Sequence, residues 1–316
     1  MPIQMPTHIT LGLPGMRYVV VHYHIFKNGG TTIETILDRE FGAGFVTLHG
    51  PDADATLIGS DLEGYLQTHP EVTAVSSHHL RYPKPEIPRV VLFDCCFVRH
   101  PLARLHSFYT YLSKTESLRE NAREFLERLL DTAPHQVSDV QVHQLANRGA
   151  FTRPANEHDL DKATQILQHM AIPGLVCMFD ESLVAAEYFL RPAFPTIRLE
   201  YIPQNVSSGA KPLPGERQDH LKEQWGTDLY DKLVRLNQMD LELFRRARAE
   251  ITQRFDRVPR WEERLAEFRL RCERLAAEQV TSSAPSSPSP GASSPTPVSE
   301  PGGHVPAPAH RAAPAP

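Results

Sequence analysis

The sequence predicts an α/β fold in three layers, a central and mostly parallel sheet flanked by helices, with a helical C-terminal part. Three observations carry that prediction. Short, β-branched apolar runs each lead directly into a helical pattern, the sign of strands covered on both faces. The interval 216–279 is nearly all helical in pattern. The chain has 316 residues, 41% hydrophobic and 22% charged, which suffices for one large α/β domain or two small ones.

The elements follow in order. Residues 17–26 (RYVVVHYHIF) read as a buried strand, and the stretch 27–32 (KNGGTT) joins it to a helix with Ile33, Ile36, Leu37 and Phe41 at helical spacing. Residues 72–77 form a weaker second strand. Residues 89–98 (RVVLFDCCFV) form a third, leading through Arg99, His100 and Pro101 into a helix carrying Leu102, Leu105, Phe108, Tyr109 and Leu112. Residues 174–179 (GLVCMF) read as a fourth strand, followed by a helix from about 181 to 190. The helical C-terminal part is interrupted near Gly226 and Pro259. No internal repeat is present.

Composition divides the chain into an N-terminal extension (1–16), one α/β domain (17–280) and a tail (281–316). Ten of the tail's 36 residues are proline, and almost none is large and apolar, so the tail is expected to be disordered. Net charge is −5 and the pI is near 6.3, which argues against nucleic acid as a partner. No apolar run approaches the roughly 18 residues that suggest a membrane span. The N-terminus lacks a charged segment ahead of a long apolar stretch, so secretion is not signalled. Four cysteines are too few for a disulfide scaffold, and the adjacent Cys95 and Cys96 are best read as small apolar fillers on opposite faces of a strand. A reduced, cytoplasmic protein is expected.

Two constellations carry chemistry. In the first, Gly29 and Gly30 let backbone N–H groups approach an anion, Thr31 and Thr32 add hydroxyls, and the helix start adds partial positive charge. Lys27 supplies a full charge from the strand side. The order differs from GxxxxGK[ST], because the lysine precedes the glycines. A plain turn with a solvated lysine is the alternative. In the second, Arg99 ends a strand and Ser107 lies eight residues on, on a helix face shared with Arg104 and Tyr111. A guanidinium and a hydroxyl so placed bracket a second phosphate; a salt bridge and a surface serine are the plainer alternative. Both constellations fall at carboxyl ends of strands, where open α/β sheets bind ligands.

These residues resemble a known family. The segment 24–32 (HIFKNGGTT), with Asn28 inside it, is similar to the 5′-phosphosulfate loop of sulfotransferases that use 3′-phosphoadenosine 5′-phosphosulfate (PAPS). The segment 99–109 (RHPLARLHSFY) resembles their 3′-phosphate motif, RDPxxRxxSxYxY, with His100 where aspartate is commoner. The resemblance is nearest to carbohydrate enzymes of the heparan 2-O-sulfotransferase type. Those carry an HxH-like segment between the motifs, where this chain has Ser77-His78-His79-Leu80. Residues 139–149 and 176–183 are similar to the middle of bacterial members, and the whole likeness covers roughly residues 18–247. It implies a P-loop-like fold, PAPS as co-substrate and no required metal, the lysine and loop amides supplying positive charge.

It further implies that Lys27 stabilises the leaving oxygen, that residues 28–32 hold the 5′ end, and that Arg99 and Ser107 hold the 3′-phosphate. An alcohol acceptor must lose a proton, and a histidine is the efficient base. His79 is the first candidate and His78 the second, one of them facing the cleft. The acceptor is expected to be a glycan or another small hydroxyl-bearing molecule; Arg81 and Lys84 are either attractors for an anionic one or solvated loop charges. His22 and His24 read as core histidines rather than metal ligands, with His24 placed to brace the loop. The polar stretch 202–217, with Asn205, Lys211 and Arg217, is either a cover for the adenine or an ordinary connection. A nucleotide kinase and a non-catalytic nucleotide-binding scaffold are the competing functions.

Overall fold

The structure, a computed structural model, describes residues 15–52, 55–116, 118–203 and 214–282. It opens with β1 (Arg17–Tyr23), α1 (Gly30–Phe41), β2 (Phe45–Thr47), α2 (Gly59–Thr68), β3 (Ala74–Ser77) and β4 (Val90–Val98). Four helices follow: α3 (Pro101–Thr115), α4 (Ala122–Thr132), α5 (Val140–Ala146) and α6 (Glu157–His169). After β5 (Ile172–Leu175) come α7 (Phe179–Leu190), α8 (Pro214–Trp225), α9 (Thr227–Leu236), α10 (Gln238–Asp256) and α11 (Trp261–Ser282).

The strands form one sheet in the order β2-β3-β1-β4-β5, and every pairing in it is parallel. The predicted α/β class and three layers are therefore observed. Strand alternation explains them. Val19, Val21, Tyr23, Cys96 and Val98 pack on one face with α2, α6 and α10, while Val20, Phe93, Cys95 and Phe97 pack on the other with α1 and α7. The vicinal cysteines thus divide between the two cores, both buried and unpaired. A third apolar cluster joins α3, α4, α8 and α9 around Phe125, Trp225 and Leu233.

The inner strands β3 and β4 flank β1 on either side, with β2 and β5 at the edges. The connection from β1 runs toward β2 on one side, and that from β4 runs toward β5 on the other. The crevice between the carboxyl ends of β1 and β4 is therefore the topological switch point, the place where such sheets take ligands.

Three elements differ from expectation. The fourth strand is Ile172–Leu175 rather than 174–179. Its ladder stops because the Leu175 N–H donates to Ser182 Oγ at 3.1 Å, and a single 3-10 turn, Val176–Met178, leads into α7. The edge strand β2, three residues long, is too short to give a periodicity signal. The helix α11 continues to Ser282, past the expected boundary at 280. Most of the N-terminal extension and tail lies outside the described residues. No described helix is long and apolar enough to cross a membrane.

Candidate active site

The turn from β1 into α1 is built around two residues of positive φ, Lys27 at 67° and Gly29 at 81°. Glycine adopts that conformation freely, whereas lysine does so at a cost and only where its surroundings hold it. The holding residue is Asn28, which is buried and donates from Nδ2 to the Phe97 carbonyl and to Gln141 Oε1, both at 2.8 Å. With Asn28 tied inward, Lys27 turns outward, its Nζ 3.9 Å from the centre of the Tyr111 ring and 5.4 Å from that of Phe26. Burial, and then the adjacent Arg99 guanidinium, push the Lys27 amine down to about 8.

Gly29 is the N-cap of α1, and no side chain caps the helix. Its first N–H groups therefore lack intrahelical partners and present partial positive charge to the crevice. Thr31 is exposed beside them, while Thr32 is buried. Gly30 has no alternative: a Cβ there would stand 1.7 Å from His24 Nε2.

His24 braces this turn, as expected. Its Nδ1 lies 3.0 Å from Glu34 Oε1, the same oxygen that accepts from Ser76 Oγ at 2.9 Å, and Ser76 Oγ is 2.9 Å from His22 Nδ1. Atoms of His22, His24 and Glu34 lie within 4.8 Å of one another, a spacing compatible with a metal ion. The Ser76 hydroxyl links the trio into one hydrogen-bonded chain, from His22 through Ser76 and Glu34 to His24. Burial holds His22 well below the usual imidazole range. At Glu34 burial acts upward, but the bonds from His24 and Ser76 prevail and keep the carboxyl below its ordinary value.

Arg99 follows β4 directly, and its Nη1 donates to the Lys27 carbonyl at 2.9 Å. The two constellations predicted from separate stretches of sequence are thus in contact. Ser107 lies part-exposed on α3. Arg104 does not share an open face with it: Arg104 is buried, donates to the Gln136 carbonyl at 2.6 Å, and is pushed down to about 10 by burial.

The two histidines after β3 diverge. The His78 ring packs 3.6 Å from that of His24, centre to centre, and 6.1 Å from that of Phe26, the ring that also neighbours Lys27. Burial, and then His24, push His78 down to about 4. His79 turns the other way, where its Nδ1 accepts the Gly50 N–H at 2.7 Å. Neither Arg81 nor Lys84 is a free loop charge. Arg81 Nη1 donates to the His78 and Leu80 carbonyls, and Lys84 Nζ donates to the buried Asp94 at 2.8 Å. Asn205 and Lys211 lie outside the described residues, as does the side chain of Arg217.

Sequence inspection missed Glu34, Ser76 and Gln141. Each left a signal. Glu34 falls between Ile33 and Ile36 on the helix side turned to the sheet, and Gln141 sits between two valines, so both are polar residues inside apolar patterns.

The profile of the Sulfotransferase family matches residues 16–245, a span containing the loop, Arg99, both histidines and Gln141. An uncharacterized protein of Archaeoglobus fulgidus is 28% identical over 243 residues, covering 72% of this chain and 95% of its own. A sulfotransferase from Alicyclobacillus acidocaldarius, solved by crystallography, is similar at a TM-score of 0.34 and 14% identity, over 72% of this chain and 99% of its own. From the match over residues 16–245, the chain belongs to the sulfotransferase family.

Proposed function

We propose that this protein transfers the sulfuryl group of PAPS to a hydroxyl of a carbohydrate or another small acceptor, and that residues 17–280 form the catalytic unit of a cytoplasmic enzyme. The observation that carries this reading is the junction of Lys27 and Arg99: an amine stands beside an uncapped helix N-terminus, and the backbone carbonyl of the same lysine accepts at 2.9 Å from the guanidinium that follows the neighbouring strand. Such a junction offers separate cationic ends for the 5′ and 3′ groups of one nucleotide.

Lys27, charged at neutral pH with its amine near 8, stabilises the negative charge that grows on the leaving oxygen. Asn28 holds the turn, and the N–H groups at Gly29, Gly30 and Thr31, together with the threonine hydroxyls of Thr31 and Thr32, hold the 5′ end. Arg99 and Ser107 hold the 3′-phosphate. Positioning donor and acceptor in line supplies much of the remaining rate.

The surroundings favour His78 over His79 as the base. His79 accepts at Nδ1 from Gly50, so its neutral form carries the proton on Nε2 and has no lone pair to offer. His78, whose ring neighbours the same Phe26 as the Lys27 amine, is unprotonated at neutral pH, and an anionic donor beside it raises its proton affinity.

The test is transfer of radiolabelled sulfate from PAPS to a panel of sugars, phenols and peptides by the full chain and by Lys27→Ala. Transfer to a sugar, abolished in Lys27→Ala with the fold intact, is the expected result. Magnesium-dependent phosphoryl transfer from ATP would establish a kinase instead. Nucleotide binding with no transfer to any acceptor would leave a scaffold.

A further inference from the structure

Gln141, in the first turn of α5, is fully buried and uses every hydrogen-bonding position of its side-chain amide. Oε1 accepts from Asn28 Nδ2 and from the Arg99 N–H, both at 2.8 Å. Nε2 donates to the Arg99 carbonyl at 2.8 Å and to Asp240 Oδ2 at 3.1 Å. One neutral side chain therefore grips the loop residue between Lys27 and Gly29 and, at the same time, both backbone groups of Arg99.

The support behind Gln141 is equally fixed. Asp240, at the start of α10, accepts from the backbone N–H groups of Gln141 and Val142, while its own N–H donates to Asp139 Oδ1 at 2.9 Å. The two helices cap each other's N-termini, and Gln141 cannot rotate without breaking four hydrogen bonds in a site shielded from water.

We propose that Gln141 is a positioning residue that sets the separation of the two anion-binding ends, and so makes the protein select nucleotides that carry a 3′-phosphate as well as a 5′-phosphate group. This rests on the nucleotide reading given under Proposed function. When two sites are held at the spacing of two groups on one ligand, the second contact forms at high effective concentration. When the spacing is free to vary, each group still binds, but the advantage of having both shrinks.

The prediction is therefore about a ratio. Affinities for adenosine 3′,5′-bisphosphate and adenosine 5′-phosphate are measured by calorimetry on the full chain and on Gln141→Met, which keeps the volume and removes the hydrogen bonds. The parent is expected to prefer the bisphosphate strongly. In Gln141→Met that preference should narrow by about fivefold or more, the lower end of the coupling usually found between linked sites. A merely structural role lowers the melting temperature and weakens both ligands alike; an unchanged ratio overturns the proposal. If Gln141→Met does not fold, Gln141→Asn, one methylene too short to span Asn28 and Arg99, decides on the same criterion. A parent that fails to distinguish the two nucleotides would overturn the functional reading itself, and the proposal with it.

Discussion

Replacing Gly30 with alanine tests the architecture of the loop. Helix propensity alone favours the change by up to about 1 kcal/mol. The structure opposes it, because the new Cβ would lie 1.7 Å from His24 Nε2. His24 has little room to yield: His22 stacks at 5.0 Å on its ring, His78 lies at 3.6 Å, and its Nδ1 is tied to Glu34. Overpacking of this kind costs about 1–3 kcal/mol. Losing the bond to the ionised Glu34 costs about 1.5–3 kcal/mol more. The clash outweighs the propensity, and a loss of about 1.5–5 kcal/mol is expected in urea denaturation, a substantial part of the roughly 5–15 kcal/mol that holds a typical domain. In His24→Ala the obstacle is gone. The double variant should therefore be more stable than the sum of the singles implies, by about 1–3 kcal/mol. A Gly30→Ala loss below about 1 kcal/mol, or strict additivity in the cycle, would refute the packing described for this turn.

The other predictions concern protons. As Lys27 is pushed down to about 8 and must be charged to act, kcat/KM for PAPS should fall as pH rises through about 8, while the His78 limb, near 4, lies well below; a profile flat to about pH 10 would contradict the role of Lys27. His78→Ala should lower kcat by about 10²–10⁴-fold with little change in PAPS affinity, and His79→Ala should spare kcat; the reverse pattern in steady-state kinetics would return the base to His79. Asp139 is pushed up to about 7 by burial and then by Asp240. The folded protein therefore keeps a proton there that the unfolded chain releases near pH 4, and stability from this group is lost as pH rises from about 4 to 7, at up to about 1.4 kcal/mol per unit. Asp139→Asn should match the parent near pH 4 and exceed it progressively toward pH 7 in chemical denaturation; a difference independent of pH would count against the raised value.

What could be read from the sequence was what acts locally. The runs that became β1 and β4 are apolar on both faces, and the helices after them show apolar residues at helical spacing, with a proline opening α3, so strand, loop and helix were all legible. The glycine pair and Arg99 were legible because anion binding needs small residues and fixed charge at strand ends. Orientation was not. Arg104 and Ser107 share a helical face on a wheel, yet Arg104 is buried and bonded to the 3-10 turn at Pro134–Gln136. His78 and His79 are adjacent in sequence, and only the loop around Gly50 decides which ring is engaged. Gln141 meets Asn28 across 113 positions and Asp240 across 99, distances over which periodicity carries no information.

The most direct test is a crystal structure of the full chain with adenosine 3′,5′-bisphosphate. The 5′-phosphate should sit on the N–H groups at the start of α1 within reach of Lys27, and the 3′-phosphate on Arg99 and Ser107. A nucleotide bound elsewhere, or bound with its 3′-phosphate away from Arg99, would contradict the account.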